Sequence, residues 1–175
     1  MLDHHTLSSV PTHYVGPHLQ FETTRTPLGE LLYRLKYRGG HTGVSDIVDT
    51  LVEFIESRWR PSIDCIVPAP PSVHRADQPV VRIAEELGRR LSLPVVVDAV
   101  LKVRGTPQMK DVPGVQERAT MLADAIQPGG TSVRGRRVLL FDDLIEHGST
   151  LRRVATILNE NGAAEIRALV LTRTK

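Results

Sequence analysis

Val138-Leu139-Leu140-Phe141-Asp142-Asp143-Leu144-Ile145-Glu146-His147-Gly148-Ser149-Thr150-Leu151 is the stretch that decides the fold. An unbroken apolar run, Val138 to Phe141, stops abruptly at two adjacent carboxylates. A short loop with a glycine and two hydroxyl residues follows, and then Leu151, Val154, Ala155 and Leu158 recur at helical spacing. The pattern predicts a buried strand whose C-terminal end feeds a loop that opens a helix.

Open parallel sheets bind their ligands beyond such strand ends. A helix N-terminus has unpaired N–H groups, and beside Gly148 and the Ser149 and Thr150 hydroxyls these suit a phosphate. Carboxylates repel phosphate, so Asp142 and Asp143 are expected to face hydroxyls or a divalent metal. One loop with both surfaces suits a sugar phosphate.

Working outward, the same alternation of strand and helix recurs through most of the chain. Residues 1–26 mix His, Thr, Pro and Gly without a clear period and read as an irregular arm. Their histidines, His4, His5, His13 and His18, have no compact ligand spacing. Pro27 opens a helix with Leu28, Leu31, Leu32 and Leu35 on one face, closed by Lys36-Tyr37-Arg38 and Gly39-Gly40. Lys36 and Arg38 read first as charges favoured at a helix C-terminus, and alternatively as groups facing a polyanion. Ser45 is the expected N-cap of the next helix, which runs to Trp59 before Pro61. Ile63 to Val67 is the first core strand, converted to a rigid loop by Pro68-Ala69-Pro70-Pro71. Gln78 to Leu91 is an amphipathic helix, Pro94 to Val97 a second core strand, and Ala99 to Val103 a further short one. From Arg104 to Pro113 periodicity fails, which suits a mobile lid or an ordinary exposed connection. A helix near Val115 to Ala123 follows, then the organising strand, a helix to Asn161, and a last strand from Ile166 to Leu171. This order predicts an α/β domain with a parallel sheet between two layers of helices.

At 175 residues, with 41% apolar and 24% charged residues, the chain suits one domain with a real core. A net charge of +2 and only 4% aromatics disfavour a nucleic-acid surface. The basic clusters Arg134–Arg137 and Arg152-Arg153 read as solvated faces. Cys65 is the single cysteine, which excludes an intrachain disulfide and a cysteine-based zinc site, and its apolar setting reads as core. The chain has neither a signal-peptide pattern nor an apolar run approaching a membrane span, so the expectation is a cytoplasmic protein with no membrane partner.

The opening stretch resembles the phosphoribosyl pyrophosphate (PRPP) signature of type I phosphoribosyltransferases. That signature is an apolar run, an acidic pair, two apolar residues and a phosphate loop of the form x-Thr-Gly-x-Thr. The likeness holds over the strand, the acids, Gly148 and Thr150, and departs at His147, where the family usually has a small hydroxyl residue. Leu35-Lys36-Tyr37-Arg38-Gly39, Ile66-Val67-Pro68-Ala69-Pro70 and Arg104-Gly105-Thr106-Pro107-Gln108, with Arg118 downstream, resemble ComF-like proteins in their order. The likeness spans roughly residues 28–175. ComF proteins often begin with a cysteine-rich zinc module, which this chain lacks. Where they carry an Arg-Gly-Phe-Asn-Gln-like segment, it has His74-Arg75-Ala76-Asp77-Gln78.

The resemblance implies the type I phosphoribosyltransferase fold: a central, mainly parallel sheet flanked by helices, a small N-terminal hood-like segment and a flexible lid loop. Residues 27–175 would be that domain and residues 1–26 the arm. It implies transfer of a phosphoribosyl group from PRPP to a nitrogenous base or amine, with release of pyrophosphate. Asp142 and Asp143 would hold the ribose hydroxyls, directly or through water on Mg2+. Gly148, Ser149 and Thr150 would hold the 5′-phosphate. Ala69, Pro70, Pro71, Ser72, His74 and Arg75 occupy the place of the pyrophosphate loop, and Arg104 and Lys110 that of a lid closing on the leaving group. Glu146 would orient or deprotonate the nucleophile, or else be a carboxylate favoured near a helix N-terminus. His147 would donate to phosphate, obstruct the pocket or point to solvent. A homodimer is usual for the superfamily. Three alternatives stand beside the enzyme: a module that binds PRPP or a nucleotide without turnover, a competence-type partner handling DNA, and a nucleic-acid-binding regulator.

Overall fold

The computed structural model describes residues 3–4, 6–15, 18–38, 43–71, 78–107 and 111–174. Its centre is a parallel sheet of four strands in the order β1-β8-β7-β4, formed by β1 (Asp3–His4), β4 (Cys65–Pro68), β7 (Arg137–Ile145) and β8 (Glu165–Arg173). Val95 adds a single parallel bridge to Ile66 on the outer side of β4. The expected parallel α/β architecture is what the chain adopts.

Alternation along the strands explains why their sequences are continuously apolar. Ile66, Leu139, Phe141, Leu169 and Leu171 point to one face of the sheet. There they meet Leu28, Leu32 and Leu35 of α1 (Pro27–Tyr37), Ile47, Val48 and Leu51 of α2 (Val44–Glu53), and Val80, Ile83 and Leu87 of α3 (Pro79–Leu91). Cys65, Val67, Val138, Leu140 and Val170 point to the other face. They pack on Leu122 of α4 (Val115–Ala125) and Val154, Ile157 and Leu158 of α5 (Ser149–Glu160). A sheet covered on both faces has no polar side, so the period of two vanishes from its sequence. Cys65 is fully buried, and burial raises its thiol pKa, as befits a core residue.

Several expectations need correction. Most of the first 26 residues is strand: β2 (Thr6–Val15) and β3 (His18–Arg25) form an antiparallel pair. Register shifts between Thr6 and Ser8 and between Pro11 and Tyr14 break the alternation that would have revealed it. At the end of this pair the Arg25 guanidinium lies 3.7 Å over the Tyr33 ring and 3.6 Å from Glu30, which docks β3 on α1. Helix α1 is capped by Thr26, whose hydroxyl accepts from the Gly29 N–H at 3.0 Å. Helix α2 begins earlier than expected, with Gly43 at φ 109° in the cap position instead of Ser45. It passes directly into a π-helical segment, Phe54–Trp59, that closes on Arg60 before Pro61. The expected strand Pro94 to Val97 reduces to the one bridge at Val95. The strand expected after it, β5 (Val100–Lys102), pairs antiparallel with an unforeseen β6 (Ile126–Pro128). Arg153, read as part of a solvated face, donates to the Ile126 and Ala123 carbonyls and ties α5 to the end of α4. No helix among the described residues is long and apolar enough to cross a membrane.

Candidate functional site

The cleft is made by strands of unequal length. Strand β4 ends at Pro68, and its last sheet contact is the Ala69 N–H donating to the Phe141 carbonyl at 2.7 Å. Strand β7 continues to Ile145, still paired with β8 through Asp142↔Val170, Leu144↔Thr172 and Ile145↔Arg173. The acids therefore lie within β7, not beyond it as the sequence suggested, but past the point where β4 turns away through Pro70-Pro71. A cavity of about 450 Å³ opens there. It is lined by Lys36, Tyr37, Pro70, Pro71, Lys102, Thr106, Pro107 and the whole run from Asp142 to Leu151, with further residues of α3, α4 and β6.

Strand geometry assigns the two acids to opposite faces. Asp142 continues the row of Val138 and Leu140, and its Oδ1 accepts from the Asp143 N–H at 2.9 Å. Asp143 continues the row of Leu139 and Phe141 towards α1, where Lys36 Nζ meets its Oδ1 at 2.8 Å. The two side chains of this pair keep only 16% and 11% of their surface, so the contact is nearly dry. Thr172 donates to the Asp143 carbonyl at 3.2 Å, which fixes the strand beneath.

Burial, reinforced by the neighbouring Asp143 carboxylate, pushes the Asp142 pKa up to about 7, against the pull of Lys36 and of the Asp143 and Leu144 N–H groups. The folded chain thus holds a proton that the unfolded chain releases near the ordinary carboxylate value. The favourable contribution of that proton is complete below the unfolded value and is lost as pH rises through the folded one. Asp142→Asn keeps an acceptor for the Asp143 N–H and has no charge to bury. The variant's melting temperature should exceed that of the parent by roughly 3 °C or more at pH 8, with the gap closing by about pH 4. Calorimetry at the two pH values checks this, and an equal gap at both would count against the assigned cause.

Past Ile145 the chain turns through Glu146 and His147, both exposed, to Gly148. Gly148 caps α5 at φ 70°, a left-handed conformation that suits glycine. A Cβ there would lie 3.2 Å from Ile145 Cδ1 and 3.6 Å from Arg152 Nη1. Ser149 and Thr150 form the first turn, with their backbone N–H groups at the positive end of a twelve-residue helix. Arg152 folds back over this loop and donates to the His147 carbonyl at 3.0 Å and the Ser149 hydroxyl at 3.5 Å. It holds the loop shape and places a cation beside it.

Of the residues singled out from sequence, Asp142, Asp143, Glu146, His147, Gly148, Ser149, Thr150, Pro70 and Pro71 line the one cleft. Ala69 is buried behind it, with its N–H committed to β7. Arg104 is exposed and lies off the lining. Ser72, His74, Arg75 and Lys110 fall outside the described residues. The cleft also holds groups that sequence reasoning set aside. Lys36 follows Leu28 and Leu32 at intervals of four, so the helical period alone puts it on the edge of the buried stripe. Lys102 shares a strand face with buried Val100, donates to Thr106 at 2.8 Å, and has its pKa lowered by burial.

Among the described residues the Asp142–Asp143 pair is the candidate holder of Mg2+, an ion usually bound by one or two carboxylates together with substrate phosphates and several waters. The ion takes about six oxygens in a near-octahedral shell. No group of three or more His, Cys, Asp or Glu converges among the described residues, and Asp143 is already bound to an ammonium.

The family model of the phosphoribosyl transferase domain matches residues 80–175. No curated protein matches the sequence. Among solved structures, the chain is similar to adenine phosphoribosyltransferase from Thermoanaerobacter pseudethanolicus, with 18% identity and a TM-score of 0.53 over 95% of this chain and 82% of that one. It is similar to orotate phosphoribosyltransferase from Aeropyrum pernix, with 19% identity and a TM-score of 0.50 over 94% and 73%. Similarity to the glutamine PRPP amidotransferase of B. subtilis, at 19% identity and TM-score 0.50, covers 74% of this chain but only 26% of that enzyme. At these identities the likeness is one of fold.

Proposed function

Because the chain belongs to the phosphoribosyl transferase domain family, we propose that its cleft binds PRPP and transfers the phosphoribosyl group to a nitrogen nucleophile, with release of pyrophosphate. The observation that carries this reading is the acid pair and the α5 N-terminus on one cavity, a hydroxyl-accepting surface beside a phosphate-accepting one. Asp142 and Asp143 accept from the ribose 2- and 3-hydroxyls. The N–H groups and hydroxyls of Gly148, Ser149 and Thr150 hold the 5′-phosphate. With both ends of the ribose phosphate fixed, C1 presents itself to the open side of the cleft.

The bond from C1 to the pyrophosphate oxygen breaks as the bond from the nucleophile's nitrogen forms, and the electron pair leaves with pyrophosphate. Positive charge develops on the ribose, which the carboxylates below it stabilise. Glu146 is exposed at the cleft mouth and there orients the nucleophile or takes its proton. Lys102, which also lines the cleft, sets a cation near the departing anion. The Pro70-Pro71 wall is the proposed pyrophosphate side. Ser72, His74, Arg75, Arg104 and Lys110 keep the expected anion-binding role as part of this proposal.

The test is incubation with PRPP, Mg2+ and a panel of purine, pyrimidine and simple amine acceptors, with pyrophosphate release as the readout. Release with at least one acceptor is expected. Absence of release while PRPP or a nucleotide still binds saturably would replace the enzyme with the second reading, a ribose-phosphate-binding module. That reading is favoured by the Lys36–Asp143 pair, which occupies one carboxylate. A role in handling DNA rests on motif order alone, and salt-dependent DNA binding is its test.

A further inference from the structure

We propose that Arg152 is a positioning residue of the phosphate loop: it draws the His147 carbonyl onto itself and makes the Ser149 hydroxyl a donor to the ligand's phosphate. The inference rests on the reading of the cleft as a ribose-phosphate site and adds which side chain sets the loop for that ligand. A loop at a helix N-terminus presents carbonyls as well as N–H groups, and a carbonyl oxygen facing a phosphate repels it. A hydroxyl is equally ambiguous, because it can offer either its proton or its lone pairs. A loop built for phosphate has to settle both orientations.

Arg152 reaches both groups with one nitrogen: its Nη2 donates to the His147 carbonyl at 3.0 Å and to Ser149 Oγ at 3.5 Å. Its base is rigid, because the Arg152 N–H donates to the Gly148 carbonyl at 3.0 Å and closes the first turn of α5. Gly148 leaves room for the fold-back, since Nη1 lies 3.6 Å from where a Cβ would stand. His147, Ser149 and Thr150 line the cleft, whereas Arg152 is exposed and lies off its lining. The guanidinium therefore works through the loop and does not touch the ligand. Ser149 is buried, and its oxygen is already an acceptor for Arg152. Its proton is directed elsewhere, and among the described residues it goes to no protein acceptor. A charge-assisted bond to the oxygen also polarises the O–H and strengthens it as a donor. Both orientations are set before the ligand arrives, which lowers the ordering cost of binding.

The experiment is a double-mutant cycle on the full chain, with ribose 5-phosphate binding read by titration calorimetry in millimolar Mg2+. Arg152→Met should weaken binding about 10-fold in the parent chain but about threefold or less in a Ser149→Ala background, where the hydroxyl it orients is gone. Ser149→Ala alone should cost about fivefold or more. Arg152→Lys keeps a cationic donor and should stay within about threefold of the parent. A merely structural arginine would lower affinity by the same factor in both backgrounds. Where Arg152→Met fails to fold, Arg152→Gln takes its place in the cycle, with the same dependence on Ser149 expected. Equal losses in the two backgrounds overturn the inference and leave the proposed function standing, as does an Arg152→Met or Ser149→Ala variant that binds like the parent. Failure of the parent chain to bind ribose 5-phosphate overturns the proposed function and this inference with it.

Discussion

Replacing Asp142 and Asp143 together by asparagine should weaken ribose 5-phosphate binding by roughly 100-fold. At pH 8, above the Asp142 value of about 7, each carboxylate gives a hydroxyl a charge-assisted acceptor, and an amide oxygen gives only a neutral one. The difference is about 1–1.5 kcal/mol per bond, and the two bonds lie on one substrate. Shape is conserved in the exchange, because asparagine occupies the aspartate volume and the new amide oxygen at position 142 can still accept from the N–H of position 143. Loss of binding with an unchanged circular dichroism spectrum would therefore report the site and not the fold. Binding within about threefold of the parent would remove the acid pair from the proposed mechanism. The single exchange at position 142 separates two effects of one group: tighter folding at high pH and weaker binding of the sugar.

Gly148→Val should have the next largest effect, a loss of roughly 30-fold in affinity for ribose 5-phosphate together with lower stability. The position is left-handed at φ 70°, which a β-branched residue adopts at a penalty of about 1–2 kcal/mol. The added Cβ also presses on Ile145 Cδ1 at 3.2 Å. A change of backbone angles that relieves the strain turns the first N–H groups of α5 away from the phosphate. Gly148→Asn is the informative partner, because asparagine visits the left-handed region readily. It should retain affinity within a few-fold. Equal damage from both variants would point to contact with the ligand and away from backbone shape.

The features visible in the sequence are those whose signal is local. The Val138–Phe141 run, the amphipathic face of α3 and the stop at Asn161-Gly162 each announce an element within a dozen residues, and each is present. The acid pair and Gly148-Ser149-Thr150 are legible for the same reason, since chain order alone places a phosphate loop after a strand. What stays hidden depends on neighbours distant in the chain. Lys36 looks like a helix-terminal charge because its partner is 107 positions away. Pro94 to Val97 is as apolar as a core strand, yet it makes only the one bridge at Val95, with the Pro94 carbonyl and the Val96 N–H bonded to Ile66, before the chain turns at Val97-Asp98. Strand β6 follows α4 with no punctuation between Ala125 and Ile126, so nothing local marks the change. The β2–β3 pair is obscured by its own bulges. Arg153 looks solvated until the fold brings the carbonyls of Ala123 and Ile126 to it.

The strand order β1-β8-β7-β4 also bears on how the chain is made. A ribosome releases Cys65 well before Val138, its partner in the ladder, and releases Asp3 before almost everything else, although it pairs with Thr172. The two middle strands are the last to emerge. Until they do, α1, α2 and α3 have little but one another to cover their leucines and isoleucines, and β4 lacks its ladder partner. Nascent chains of this kind fold late and all at once, with exposed apolar surface in the interval. Ribosome-bound chains halted before β7 is made should therefore bind a chaperone that recognises apolar segments, and chains extended past β8 by a linker long enough to clear the exit tunnel should release it.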